Sequence, residues 1–157
     1  MLYEITGTEK DLKPYMFTAH MDVVPVHTQI DSWSQPPFDA KIVDGFIYAR
    51  GTLDDKSSMM SHLEAVRLYL KKNGQPKRSL YLAYGHDEEL NGHGGAGHMA
   101  KFLEGKQLEY IIDEGTVIAD KMFKDFQRPM GFIGIVDKGY LTVKFSVNTT
   151  GGHSSMV

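Results

Sequence analysis

Residues 56–89 read KSSMMSHLEAVRLYLKKNGQPKRSLYLAYGHDEE, and this stretch decides the fold. Met59, Met60, Leu63, Val66, Leu68 and Leu70 form a broad apolar face at three- and four-residue spacing, which predicts a helix over 56–73. Lys71 and Lys72 suit the negative end of its dipole, Gly74 supplies a stop, and Pro76 blocks continuation. SLYLAY at 79–84 is then a short apolar run bounded by turn residues, the pattern of a buried strand. It runs straight into Gly85-His86-Asp87-Glu88-Glu89.

Outward from there, YMFTA at 15–19, FIYA at 46–49 and EYII at 109–112 read as further strands, and a weaker helix is expected from about 95 to 103, ended by Gly105. Strand, helix, strand, helix, strand predicts an α/β fold with a mostly parallel sheet and flanking helices. The C-terminal stretch differs. Residues 132–136 and 140–148 are predicted strands joined by a tight turn at Asp137-Lys138-Gly139. YLTVKFSVN alternates over its length, as a half-exposed antiparallel strand does. The chain is therefore expected to divide into 1–134 and the beginning of a second unit over 135–157.

Composition limits the function. With 17 Lys+Arg against 20 Asp+Glu the net charge is −3, and no basic block occurs, so nucleic acid and anionic membrane surfaces are excluded as the main partners. No apolar run approaches the ~20 residues of a membrane span. The first residues lack the basic and apolar regions of a signal peptide. A soluble protein is expected, secreted or luminal if a leader precedes this N-terminus. The absence of cysteine removes disulfides, thiolate zinc sites and a cysteine nucleophile, so any metal must be held by His, Asp and Glu.

The polar chemistry is positional. His20-Met21-Asp22 follows the first strand, Asp54-Asp55-Lys56 the second, His86-Asp87-Glu88-Glu89 the third, and Asp113-Glu114-Gly115 the fourth. Sites in open α/β sheets lie beyond the carboxyl ends of the strands. Such a concentration of carboxylates on one rim is costly unless cations neutralise it. Imidazole with carboxylates suits Zn²⁺ and, less strictly, Mn²⁺ or Co²⁺. The number of carboxylates exceeds what one tetrahedral zinc needs and fits a bridged pair, a hydrolytic arrangement. Each cluster alone has a plainer explanation. His-x-Asp can be a surface turn, Asp54-Asp55 a helix cap, Asp87-Glu88-Glu89 a solvated loop and Asp113-Glu114 a turn. Their shared rim makes the joint explanation the better one. His27, His62 and His98 read as surface or packing residues. The glycines of 92–97 match no phosphate loop and read as a tight turn into the second helix.

At these residues the sequence resembles the co-catalytic zinc exopeptidases and amidohydrolases, the family of aminoacylase, carboxypeptidase S, acetylornithine deacetylase and glutamate carboxypeptidase. The resemblance rests on His20-Met21-Asp22-Val23-Val24-Pro25, on Trp33 with Pro36-Pro37-Phe38, on Asp44-Gly45 through Lys56, on Gly85 through Glu89, on Ile112 through Gly115, and on Gly152-His153-Ser154-Ser155. It is most similar to the carboxypeptidase S branch and leans to the N-fatty-acyl-amino-acid synthase/hydrolase group. It implies two Zn²⁺ ions, with His20 on one, Asp54 bridging, Glu89 on the other, and a further ligand at Asp113 or Glu114. It also implies Asp22 as the carboxylate that orients His20, Glu88 as the general base, and His153 as a lid histidine that stabilises the oxyanion on a neighbouring subunit.

The implied reaction is cleavage, or in reverse formation, of the amide bond of an N-acyl amino acid or short peptide, with a homodimer formed through the lid. The family's polypeptide extends beyond this chain on both sides, so the sequence reads as a fragment: part of the catalytic domain over 1–134 and the start of a lid/dimerisation domain over 135–157. The last zinc-ligating histidine of the family pattern falls outside it. Uncovered sheet edges would make such a piece poorly soluble. The contrasting expectation is an inactive chain that serves as a binding or regulatory partner of full-length subunits.

Overall fold

The computed structural model describes residues 1–27, 32–115, 118–136, 138–148, 150–153 and 155. They fall into two compact units, Met1–Glu114 and Gly115–Val157. The first is built from β1 (Leu2–Ile5), β2 (Tyr15–His20), β3 (Lys41–Val43), β4 (Phe46–Tyr48), α1 (Lys56–Asn73), β5 (Leu80–Gly85), α2 (Ala96–Phe102) and β6 (Ile111–Ile112).

The main sheet has the order β1-β5-β2-β6. β5 pairs parallel with β2 in a register that sets Tyr15 opposite Leu80 and His20 opposite Gly85, and β6 is parallel to β2 on its other side. β1 closes the far edge antiparallel to β5, so the sheet is mixed but mostly parallel. Every residue of β5 is buried, which accounts for its unbroken apolar run. Ala19, Leu80, Leu82 and Tyr84 form the core, with Ile5, Phe17, Met59 and Val66 packed on it.

The helix over 56–73 forms as predicted, and the amide of Gly74 donates to Leu70 O at its end. Its apolar face is only partly used. Met59 and Val66 meet the core, while Met60 and Leu68 are exposed. His62 takes a core-facing place instead, half-buried and stacked on Phe17 with ring centroids 5.0 Å apart. It is therefore a packing residue.

The segment at 46–49 departs from expectation. It is not a strand of the main sheet: β4 pairs only with β3, in a separate two-stranded ribbon whose Phe46 and Ile47 are exposed. Asp44 and Gly45 between them both have positive φ, 51° and 82°, the requirement of a tight hairpin turn. The turn pins a local ribbon, which removes this segment from the parallel array.

In the second unit the expected strands at 132–136 and 140–148 do not form among the described residues, and Asp137 of the expected turn lies outside them. Regular pairing there is limited to isolated bridges, Ala119 with Met130 and Phe123 with Phe126. An alternating segment becomes a strand only when a neighbour takes its N–H and C=O groups. Among the described residues no strand pairs with these segments, and Ile133, Ile135, Phe145 and Val147 stand exposed.

Candidate metal centre

His20 is the last residue of β2, buried at the carboxyl edge of the sheet. Its backbone N–H donates to Asp55 Oδ2 at 3.2 Å, a bond that helps fix the strand end. Its ring meets acceptors on both sides. Nδ1 lies 3.0 Å from the Asp22 carbonyl and 3.4 Å from Asp22 Oδ1, and Nε2 lies 2.8 Å from Asp54 Oδ1. Glu114 Oε2 at 3.5 Å and Glu88 Oε2 at 3.9 Å also face Nε2.

Two nitrogens facing oxygen acceptors favour the imidazolium when no cation is present. Burial alone would lower the His20 pKa, but the bond to Asp54 and the charges of Glu114 and Glu88 outweigh it and raise the value above the usual histidine range. Glu114 responds in the complementary way. Burial, with the nearby charges of Asp55, Glu88 and Asp54, pushes its carboxyl up to about 7 despite the opposing pull of His20. Burial likewise raises Glu88, helped by Glu89, Asp22 and Asp54. Asp22 moves down: burial is outweighed by the amides of Glu89 and Glu88, which donate to its two oxygens at 3.0 and 3.2 Å.

Three parallel strand ends and one helix start deliver these groups. β2 ends in His20, β5 leads into a 3-10 helix of one turn, Glu88–Leu90, and β6 precedes Asp113 and Glu114. Asp54 comes from the segment just before α1, so the rim expected from four strands is made by three and a helix entry. Asp55, at the cap position of α1, makes no side-chain cap bond; its carboxylate turns inward to His20 instead.

The donor atoms gather in two overlapping sets, His20–Asp54–Glu114 and His20–Glu88–Glu89, each with one ligand atom per residue within 4.8 Å of the others. Imidazole and carboxylate oxygens so arranged fit a divalent cation of the zinc type. Asp113 lines the same small cavity of about 50 Å³, yet its Oδ1 accepts the Glu114 amide at 2.8 Å, and it belongs to neither set. His153 is exposed in the second unit, with Nδ1 2.7 Å from Ser155 Oγ. A larger cavity, about 360 Å³, opens at the opposite, amino ends of β2 and β5, walled by Tyr15, Phe17, Val66 and Tyr69. It holds none of this chemistry.

Sequence reasoning missed Asp55 and Asp87. Asp55 is almost wholly buried, a place where a carboxylate must have partners, but its sequence position reads equally as a helix cap. Asp87 binds the amides of Gly94 and Gly95 at 2.6 and 2.7 Å. The adjoining glycine run was the available signal for that contact.

A mostly parallel α/β sheet with imidazole and carboxylates converging on its carboxyl edge defines a metal-dependent hydrolase of the α/β metallopeptidase type. The chain belongs to peptidase family M20/M25/M40, whose sequence profile matches residues 16–141. It is 44% identical over 157 residues to an N-fatty-acyl-amino acid synthase/hydrolase of Danio rerio, covering 99% of this chain and 30% of that protein. It is 41% identical over 160 residues to a probable carboxypeptidase S-like protein of Dictyostelium discoideum, covering 99% and 31%. The chain thus spans about a third of the length of these curated relatives. Among solved structures, a metallo-carboxypeptidase of this family from Sulfolobus solfataricus superposes with a TM-score of 0.62 at 31% identity, over 73% of this chain and 25% of the other.

Proposed function

We propose that this chain carries part of the active site of a di-zinc hydrolase that cleaves, or in reverse forms, the amide bond of an N-acyl amino acid or small peptide. The observation that carries the reading is the position of His20 Nε2, which faces Asp54, Glu114 and Glu88 at once. Family membership and the names of the relatives support the substrate class.

In this reading His20 and Glu114 would hold one metal and Glu89 the other, with Asp54 available to both; the grouping of donor atoms favours Glu114 over Asp113. Bound zinc supplies positive charge that polarises an amide carbonyl and acidifies a water. The chain's own residues do the rest. Asp22 presents its carbonyl to Nδ1, so that nitrogen keeps its proton and Nε2 turns its lone pair to the site. The Asp22 carboxylate takes the amides of Glu88 and Glu89, which fixes the backbone of both residues relative to His20. Glu88, with a pKa above the usual carboxylate range, accepts a proton from water and returns it to the departing amine.

Residues 135–157 are, on this reading, the beginning of a lid/dimerisation domain whose His153 would serve the substrate carbonyl held by a neighbouring subunit. Among the described residues no helix is long and apolar enough to cross a membrane. The test is Glu88→Ala in the full-length protein, assayed on an N-fatty-acyl amino acid alongside zinc content. Loss of hydrolysis with zinc retained is expected. Retained turnover would remove Glu88 from the proton-transfer role.

A further inference from the structure

We propose that Asp87 is a positioning residue that locks Glu88 and Glu89 onto the metal-facing side of the loop after β5. It deepens the reading above, and rests on it for what the two glutamates do. Both Asp87 carboxylate oxygens are occupied: Oδ2 accepts the Gly94 amide at 2.6 Å and Oδ1 the Gly95 amide at 2.7 Å. Its carbonyl accepts the amides of Leu90 at 3.0 Å and Gly92 at 2.7 Å. One side chain and one carbonyl therefore close the whole 87–95 loop on itself.

The glycines are part of the same device. A Cβ at Gly95 would overlap Asp87 Oδ1 and stand only 3.0 Å from the His86 nitrogen, and one at Gly94 would stand 3.1 Å from Asp87 Oδ2. A side chain at Gly95 would displace the carboxylate, and one at Gly94 would crowd it. The glycine run that resembles no phosphate loop thus has a specific partner, and that partner is an acid.

Glu88 and Glu89 are consequently held from two directions. Asp22 takes their amides from the β2 side, while Asp87 anchors the residue before them to the start of α2. Asp87 is not itself a ligand in this arrangement. It is absent from both donor sets, and its oxygens already face two amides. Its effect passes through the backbone of the turn, which sets where the two neighbouring carboxylates point.

The test measures amide hydrogen exchange and cobalt(II) binding, followed by visible absorption, in the full-length protein. In Asp87→Ala the Glu88 and Glu89 amides exchange about tenfold faster or more while Leu82 and Ala83 in β5 stay protected. Cobalt affinity falls about 10- to 100-fold, with an altered absorption band. Asp87→Asn keeps one acceptor oxygen and falls between. Unchanged exchange at Glu88 and Glu89, in Asp87→Ala with β5 intact or in folded Asp87→Asn if the alanine variant loses β5 protection, overturns the proposal. A different failure marks the underlying reading: the wild-type full-length protein takes up no cobalt while the exchange changes still occur. Positioning then stands and the metal assignment falls.

Discussion

His20 shows how much one residue can organise at a strand end. Its amide and its two ring nitrogens are all committed, each to a separate partner: Asp55, Asp22 and Asp54. The bond to Asp54 is the main cause that raises its pKa, so Asp54→Asn in the metal-free chain lowers the His20 value, as an NMR titration of the ring protons would show. An unmoved titration would mean that Glu114 and Glu88 suffice. Asp55 acts on the backbone instead. Asp55→Ala strips the buried His20 amide of its acceptor and costs about 1–3 kcal/mol in urea unfolding. A cost near zero would show that water replaces the carboxylate. The residue types of this site were legible from their place after strands. The resemblance singled out Asp54, but that Asp55 turns inward to the His20 amide was not legible, because adjacent side chains at a helix entry are aimed by backbone dihedrals rather than by spacing.

At the scale of elements, legibility follows burial and pairing. β5 was readable because a run buried on both faces is apolar throughout, and α1 because its stop is written in Gly74 and Pro76. The apolar face of α1 was overread: Leu68 has the right spacing yet is 55% exposed, since the sheet beneath is narrow and His62 holds part of the contact. Leu82→Ala should therefore cost about 2–5 kcal/mol, whereas Leu68→Ala should stay within about 0.5 kcal/mol apart from propensity. Denaturant midpoints of the two variants decide this, and equal losses would mean that α1 is covered along its outer side. β1 and β3 escaped sequence reading because short strands with polar residues are stabilised by their partners. The hairpin signal Asp44-Gly45 was present, and it fixes a ribbon rather than a place in the sheet.

For the whole molecule, the concentrated acids make stability depend on pH in a direction opposite to that of most proteins. Glu114 and Glu88 have folded pKa values above their ordinary 4.5, so the fold favours their neutral forms. Their favourable contribution is complete below about pH 4.5 and is lost as pH rises, for Glu114 through about 7. His20 adds to the same trend: its contribution is complete below its ordinary 6.5 and disappears as pH climbs through the raised folded value. Asp22 works the other way, contributing above 3.8 and losing its effect as pH falls through its lowered folded value. The metal-free protein should thus be most stable near pH 4 to 5 and weaken steadily towards pH 8. Zinc should invert the upper limb, because the same deprotonations that destabilise the empty cluster create its ligands. Saturation at about 100 times Kd adds about 2.7 kcal/mol. Urea midpoints at pH 4.5, 6 and 7.5, in EDTA and then in excess zinc, should fall with pH in the first series and gain most from zinc at the highest pH in the second. A metal-free midpoint that rises from pH 4.5 to 7.5 would mean that these acids do not share one desolvated rim. A zinc gain that ignores pH would mean that the ion binds elsewhere.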